Sequence, residues 1–267
     1  MTVKLAGARI LLTGATGGLG HAIARALHAS AAHLTLTGRR LDVLEPLARE
    51  LSADSIAADL SSVADVHRVL DEAGRVDVLI ANAALPGAGY VLEYTEEEID
   101  RVLDVNLRAP IVMTQRAALA MRERGTGQIV LIGSLSGKSA SEQSSMYNAT
   151  KFGLRGFAHG LRQDLHGTGV GVSIVLPGFV SDAGMFAESG AKLQRGVRTV
   201  TPRAVARSVL TAITRDRAEI SVAPLELRIG ATLGSIVPGV SAAVQRRAGG
   251  HDLASDIAAG HRAAGKH

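Results

Sequence analysis

Apolar residues follow two rhythms along the chain. Short continuous runs at 10–12, 34–37, 55–58, 76–81, 128–132 and 170–176 have the length of strands buried on both faces, and Glu219–Val222 is a further candidate. Between them apolar positions recur three and four apart, the stripe a helix buries. Such stretches cover Ile23, Ala26 and Leu27, then 41–51, 63–70, 95–121, 147–165 and 203–213. Local signals mark several ends. Thr95-Glu-Glu-Glu98 is a capping box, and Thr201-Pro202 is an N-cap followed by proline at the first helical position. Pro46 marks a first turn or disturbs its helix, Pro110 kinks or breaks the long one, and Pro177-Gly178 ends the sixth strand. Strand and helix alternate through short links, which predicts an α/β fold: a parallel sheet with helices on both faces, in a single domain.

Composition narrows the class. The 267 residues contain no cysteine and no tryptophan, which excludes a disulfide framework and a cysteine-held metal. The net charge of +4 is small and its basic residues are spread singly, without the stripe and stacking aromatics of a nucleic-acid binder. The N-terminus carries no secretory pattern, and a cytoplasmic location is expected.

The first strand stops at Thr13-Gly14-Ala-Thr16-Gly-Gly18-Leu19-Gly20, which opens into the first helix. A strand, a glycine turn and a helix N-terminus in this order suit a dinucleotide pyrophosphate. Gly14 turns where a side chain would clash, and Gly18 and Gly20 remove Cβ atoms that would hold off phosphate or strand. The spacing departs from the common G-x-G-x-x-G, and a merely glycine-rich turn is the plainer reading of this stretch alone. Further on, Ser134 follows the fifth strand, and Tyr147 and Lys151 lie four apart at a helix start, on one face. An ammonium beside a phenol favours phenolate, so Lys151 is expected to lower the Tyr147 pKa and suit it to acid–base work. Ser134 is placed to bond a carbonyl or hydroxyl. A surface helix contact and a turn serine are the structural alternatives.

In this order and spacing the chain resembles the short-chain dehydrogenases/reductases in their compact form, over nearly all of its length to about residue 222. The resemblance implies a Rossmann-type doubly wound sheet over residues 1–225; residues 226–267 lie beyond it and read as a C-terminal apolar segment and mobile tail. It implies that the loop from Gly14 to Gly20 holds the cofactor and that Asp59-Leu60 contacts its adenine. Asn82, in Asn82-Ala-Ala84, is similar to the family's Asn-Asn-Ala-Gly stretch, flanked here by Ala81 and Leu85. Pro177, Gly178 and Val180 resemble the turn on the nicotinamide side. Asn106, Ser134, Tyr147 and Lys151 fall where the family's catalytic tetrad falls. Tyr147 is then the general acid or base as hydride moves to or from the nicotinamide, Ser134 polarises the carbonyl, Lys151 holds the ribose, and Asn106 positions a water leading from Lys151. A helix-kink role for Asn106 is compatible with this. The family also commonly pairs through the helices carrying Asn106 and Tyr147, implying a homodimer or homotetramer.

Cofactor choice turns on the end of the second strand. An acid there would bind a free ribose and repel phosphate. Thr37-Gly-Arg39-Arg40 has no acid before Asp42, so Arg39, helped by Thr16, favours NADP(H) over NAD(H). Gly17, where the family often has a basic residue, weighs the other way. Asp182 stands where the family usually has threonine, with Ser181 as a substitute, and 182–200 reads as a mobile lid or an ordinary surface helix. Residues 229–244 carry no charge and precede Arg246-Arg247; they are too short and broken for a membrane span. They cover the pocket, join subunits, or make a weak membrane contact, and each reading implies an apolar substrate. Residues after Gly249 are small, polar and weakly patterned, and mobility is expected there. His251, His261 and His267 lack metal spacing, and no metal is expected. The chain is thus expected to interconvert a carbonyl and a secondary alcohol on a small apolar molecule. The alternative is a non-catalytic dinucleotide sensor or a membrane-associated partner protein on the same fold.

Overall fold

The computed structural model describes residues 3–193, 197–247 and 250–263. Seven parallel strands form one sheet: β1 (Arg9–Thr13), β2 (His33–Gly38), β3 (Asp54–Ala57), β4 (Val78–Ala81), β5 (Gly127–Ile132), β6 (Val170–Pro177) and β7 (Glu219–Val222). Their order is β3-β2-β1-β4-β5-β6-β7. The chain winds outward one way from β1, then crosses back to β4 and winds the other way. A crevice therefore opens at the carboxyl ends of β1 and β4, where such sheets bind ligands.

Helices α1 (Gly18–His28), α2 (Leu41–Glu50) and α8 (Pro202–Arg215) cover one face; α3 (Val63–Ala73), α5 (Ala109–Arg124) and α6 (Ser145–Asp164) cover the other. The alternation along each strand sends Ile10, Leu12, Ile80 and Val130 to the first core and Leu11, Leu79 and Leu131 to the second. Both faces are buried, which is why the strands read as continuous apolar runs.

Three features refine the sequence reading. Pro46 lies inside α2, past its first turn. The long helical stretch from Thr95 begins as α4 (Glu96–Leu103) with its capping box formed. It then widens into a π-turn at Asp104–Arg108 before Ala109, so the break precedes Pro110 and is centred on Asn106. The C-terminal segment folds into α9 (Leu225–Ile236), α10 (Pro238–Arg247) and α11 (Gly250–Ala263), after the short α7 (Met185–Ser189). The weak pattern beyond Gly249 thus conceals a helix, with Ala254, Ala258 and His261 buried. His267, and residues 194–196 of the expected lid, lie outside the described residues.

Candidate active site

One open cleft of about 1070 Å³ runs along the carboxyl edge of the sheet. Gly14, Thr16, Gly18, Leu19, Gly20, Arg39, Asp59, Leu60 and Asn82 line one end of it. Ser134, Tyr147, Lys151, Pro177, Gly178 and Val180 line the middle. A smaller hollow of about 410 Å³ at the opposite edge, beside Gly7, Arg9 and His33, contains none of these groups.

The glycine turn is sterically required. Gly14 has φ +65°, and a Cβ there would lie 2.7 Å from the Ala83 backbone. At Gly20 a Cβ would run into the Gly14 carbonyl, so this glycine seats α1 against its own loop. At Gly18 a Cβ would come 2.6 Å from the Ala183 side chain. Gly17 is the N-cap of α1 and supplies no side-chain cap, and the first turn holds no acid. The helix start therefore offers its N–H groups and partial positive charge to the cleft, and a dinucleotide phosphate fits this cradle. Thr13 braces it: its hydroxyl accepts the backbone N–H groups of Asn82 and Ala83, each at 3.0 Å. The Asn82 amide returns bonds to the carbonyls of Thr13 and Gly14 at 3.0 and 3.1 Å.

At the far end of β2, Thr16 packs on Gly38, where a Cβ would meet its methyl at 2.6 Å. Arg39 is half exposed, 4.0 Å from the Asp59 carboxylate. That carboxylate accepts from Ser61 at 2.8 Å and from Arg101 at 3.1 Å. Burial opposes its charge, but the Ser61 bonds and Arg101 outweigh it and hold the carboxyl below its usual range. Arg40 also lines the cleft and donates to the Thr16 carbonyl. Arg39 and Arg101 thus share a single carboxylate, with Arg40 held beside them.

Ser134, Tyr147 and Lys151 converge as the spacing predicts. Tyr147 and Lys151 project from the first turns of α6, and Ser134 lies beside them two residues past the end of β5. The Ser134 side chain faces the Tyr147 phenol and favours its charged form. The Lys151 ammonium lies 5.5 Å from the centre of the Tyr147 ring and donates to the Ile132 carbonyl at 3.0 Å. The expected effect on the phenol is reversed. Burial pushes Tyr147 above its ordinary value, only partly offset by Ser134, and burial lowers Lys151 to about 8. In this crowded site desolvation dominates both groups, and the phenol is held as a proton donor.

Asn106 does not line the cleft; its neighbour Val105 does. Its buried amide grips Leu85 on both sides, accepting the Leu85 N–H at 2.6 Å and donating to the Leu85 carbonyl at 2.9 Å. The helix-kink reading describes this geometry: the π-turn aims Asn106 at the strand-end loop, and its amide also reaches the hydroxyl of Thr150, next to Lys151, at 3.5 Å. The substitutes considered near Val180 also turn away. Ser181 bonds the Val200 carbonyl through its N–H, and Asp182 is exposed with φ +59°. Instead Ala183 rests on Gly18, and Gly184 lines the cleft.

The outer end of the cleft draws Phe186 from the expected lid at 182–200 and Ala231 and Val240 from the uncharged run at 229–244, while Phe179, Leu227, Leu253 and His261 belong to no motif. Phe179 and Phe186 meet edge to face at 5.0 Å. Leu227, Ala231, Val240 and Leu253 add an apolar wall. His261 is buried, lines the cleft and bonds the Met185 carbonyl at 2.8 Å, tying α11 to α7. Sequence carries no signal for these contacts beyond the uncharged run in α9 and α10.

Comparison with known proteins agrees with this geometry. Residues 8–194 match the family model described as short chain dehydrogenase. The chain is 35% identical over 227 residues to the ketoacyl reductase HetN of Nostoc sp., covering 82% of this chain and 79% of that protein. It is 32% identical over 257 residues to dehydrogenase/reductase SDR family member 7B of Xenopus laevis, covering 88% and 79%. Among solved structures, a short-chain dehydrogenase from Sphingobium yanoikuyae in complex with NADPH superposes with a TM-score of 0.75 at 27% identity, covering 87% of this chain and 94% of that one.

Proposed function

The chain belongs to the short-chain dehydrogenase family, NAD(P)-dependent oxidoreductases of CH–OH and C=O groups, and within it we propose an NADP(H)-dependent carbonyl reductase for an apolar substrate. One observation carries the reading: a single cleft joins the glycine cradle and Arg39 to Ser134, Tyr147 and Lys151.

The loop Gly14–Gly20 and the α1 N-terminus would hold the pyrophosphate, and Asp59-Leu60 would border the adenine. Arg39, with Arg40 beside it, offers forked donors to a 2′-phosphate. The excess of arginine over carboxylate there favours the phosphorylated cofactor, and the NADPH complex of the Sphingobium relative supports it. When bound, the dinucleotide would supply the hydride. Ser134 Oγ orients the substrate carbonyl, and the Tyr147 hydroxyl delivers a proton to its oxygen. A phenol pushed above its ordinary value stays protonated at neutral pH, which fits the reducing direction. Lys151 Nζ, anchored on Ile132, is placed to hold ribose hydroxyls and to sit as a cation beside the phenol as its proton leaves. Asn106 supports this from below by fixing Leu85. Exposed Leu119 on α5 and Phe152 on α6 support pairing through those helices, and a cytoplasmic location fits the reading.

The test is turnover of aromatic and long-chain ketones with NADPH and NADH, beside titrations that follow the cofactor's own fluorescence. Tyr147→Phe is expected to lose at least a thousandfold in kcat with NADPH affinity kept. Arg39→Ala is expected to weaken NADPH about tenfold or more and leave NADH unchanged, the loss of one charge-assisted contact. An active Tyr147→Phe protein would sink the mechanism, and an NADH preference would sink the cofactor assignment.

A further inference from the structure

Helix α9 is apolar on two opposite sides. Leu227, Ala231 and Gly234 turn to the cleft. Leu225, Ile229 and Ile236 do not line it and are 62%, 51% and 70% exposed. On a helical wheel these three fall within a sector of about 40°. In α10 and just before it, Val237, Val240 and Val244 line the cleft and are exposed as well, so they stand at its open side. Of the fourteen large apolar residues exposed among the described residues, seven lie within 225–244, which makes this a patch rather than scatter.

Charge and hydrogen bonding identify what covers it. Arg228, Arg246 and Arg247 are exposed around the patch. The one acid within 225–247, Glu226, is paired with Arg198 at 2.9 Å. The hydroxyls on the outer side are satisfied within the helix: Thr232 donates to the Arg228 carbonyl and Ser235 to the Thr232 carbonyl. They enter an apolar medium without losing a partner. A second copy of the chain suits the patch less well, because a two-fold contact would bring the same arginines face to face and would shut the open side of the cleft. No helix among the described residues is long and apolar enough to cross a membrane, so the contact is with a surface.

We propose that α9 and α10 lie in the surface of an anionic bilayer, with Arg228, Arg246 and Arg247 at the headgroups. The cleft then opens toward the acyl region, and its substrate is a carbonyl or alcohol dissolved in lipid. Docking follows from the patch alone; delivery of substrate rests on the oxidoreductase reading above.

The experiment is co-sedimentation of the full chain with phosphatidylcholine vesicles, with and without phosphatidylglycerol. The wild-type protein is expected to pellet with the anionic vesicles. Ile229→Glu with Ile236→Glu, both outside the cleft, is expected to lose at least tenfold in partitioning, with NADPH affinity and turnover of a water-soluble ketone unchanged. Arg246→Gln with Arg247→Gln is expected to remove the preference for phosphatidylglycerol, and decides the matter if the isoleucine pair fails to fold. Wild-type protein left in solution with both vesicle types overturns docking. So does an isoleucine variant that binds vesicles normally but has a smaller mass by light scattering, which would assign the patch to a second copy. Wild-type protein that binds vesicles but not NADPH would sink the enzyme reading and leave docking standing.

Discussion

Lys151 is a charge held where water cannot reach it, and that has a measurable cost. Its pKa falls from 10.5 to about 8 because burial disfavours the ammonium. Between those two values the unfolded chain binds more protons than the folded one, so stability rises with pH across that window. Below pH 8 the whole penalty is present. Lys151→Met is therefore expected to stabilise the fold by about 2 kcal/mol at pH 7, after allowing for the bond lost at the Ile132 carbonyl, while abolishing turnover. The gain should vanish above about pH 10.5, and urea melts at pH 7 and 10.5 check it. A variant less stable at pH 7 would mean that the ammonium is better solvated than its burial implies. The site keeps a destabilising lysine, which is expected of a group retained for chemistry rather than packing.

At the scale of elements, α4, the π-turn and α5 act together to present one amide. The capping box at Thr95 starts α4, and the π-turn rotates Asn106 toward Leu85. These two polar residues do different work, and a pair of variants separates them. Thr95→Ala removes an exposed cap and is expected to cost about 1 kcal/mol with kcat unchanged. Asn106→Ala leaves the buried N–H and carbonyl of Leu85 without partners and is expected to cost about 2–4 kcal/mol. It should also lower kcat, because the loop from Asn82 to Leu85 borders the cleft. Denaturation midpoints beside steady-state kinetics test both; equal effects of the two variants would remove the positioning role from Asn106.

For the molecule as a whole, the C-terminal helices close one end of a cleft whose other end is the glycine cradle. Helix α11 seats on α7 through Gly260, where a Cβ would run into the Ser189 carbonyl, and through His261 on Met185. A surface ion pair, Arg262 with Glu93 at 2.7 Å, ties α11 separately to the turn at Val91–Glu93. Gly260→Val is expected to lift α11 off α7, raising KM for substrate about tenfold or more with a smaller effect on the NADPH dissociation constant, since α7 reaches the cradle through Ala183, just before it, on Gly18. Loss of cofactor binding in that variant would show that the two ends of the cleft are one folding unit.

Sequence alone determined the sheet strands, the glycine loop and the spacing of Ser134, Tyr147 and Lys151. Each is written locally, because strands buried on both faces must be apolar throughout, a turn at φ +65° beside a backbone admits only glycine, and residues four apart on a helix share a face. Only the tertiary structure decided what depends on neighbours remote in the chain. The direction of the Tyr147 and Lys151 shifts follows from how much protein surrounds them, not from their own pairing. Asp59 and Arg101 join Arg39 only once β3 and α4 are brought beside the end of β2. Asn106 meets Leu85 through a π-turn that the proline pattern placed later. The helix at 250–263 was hidden because small residues leave a faint stripe, and its seat on α7 exists only where glycine lets two backbones touch.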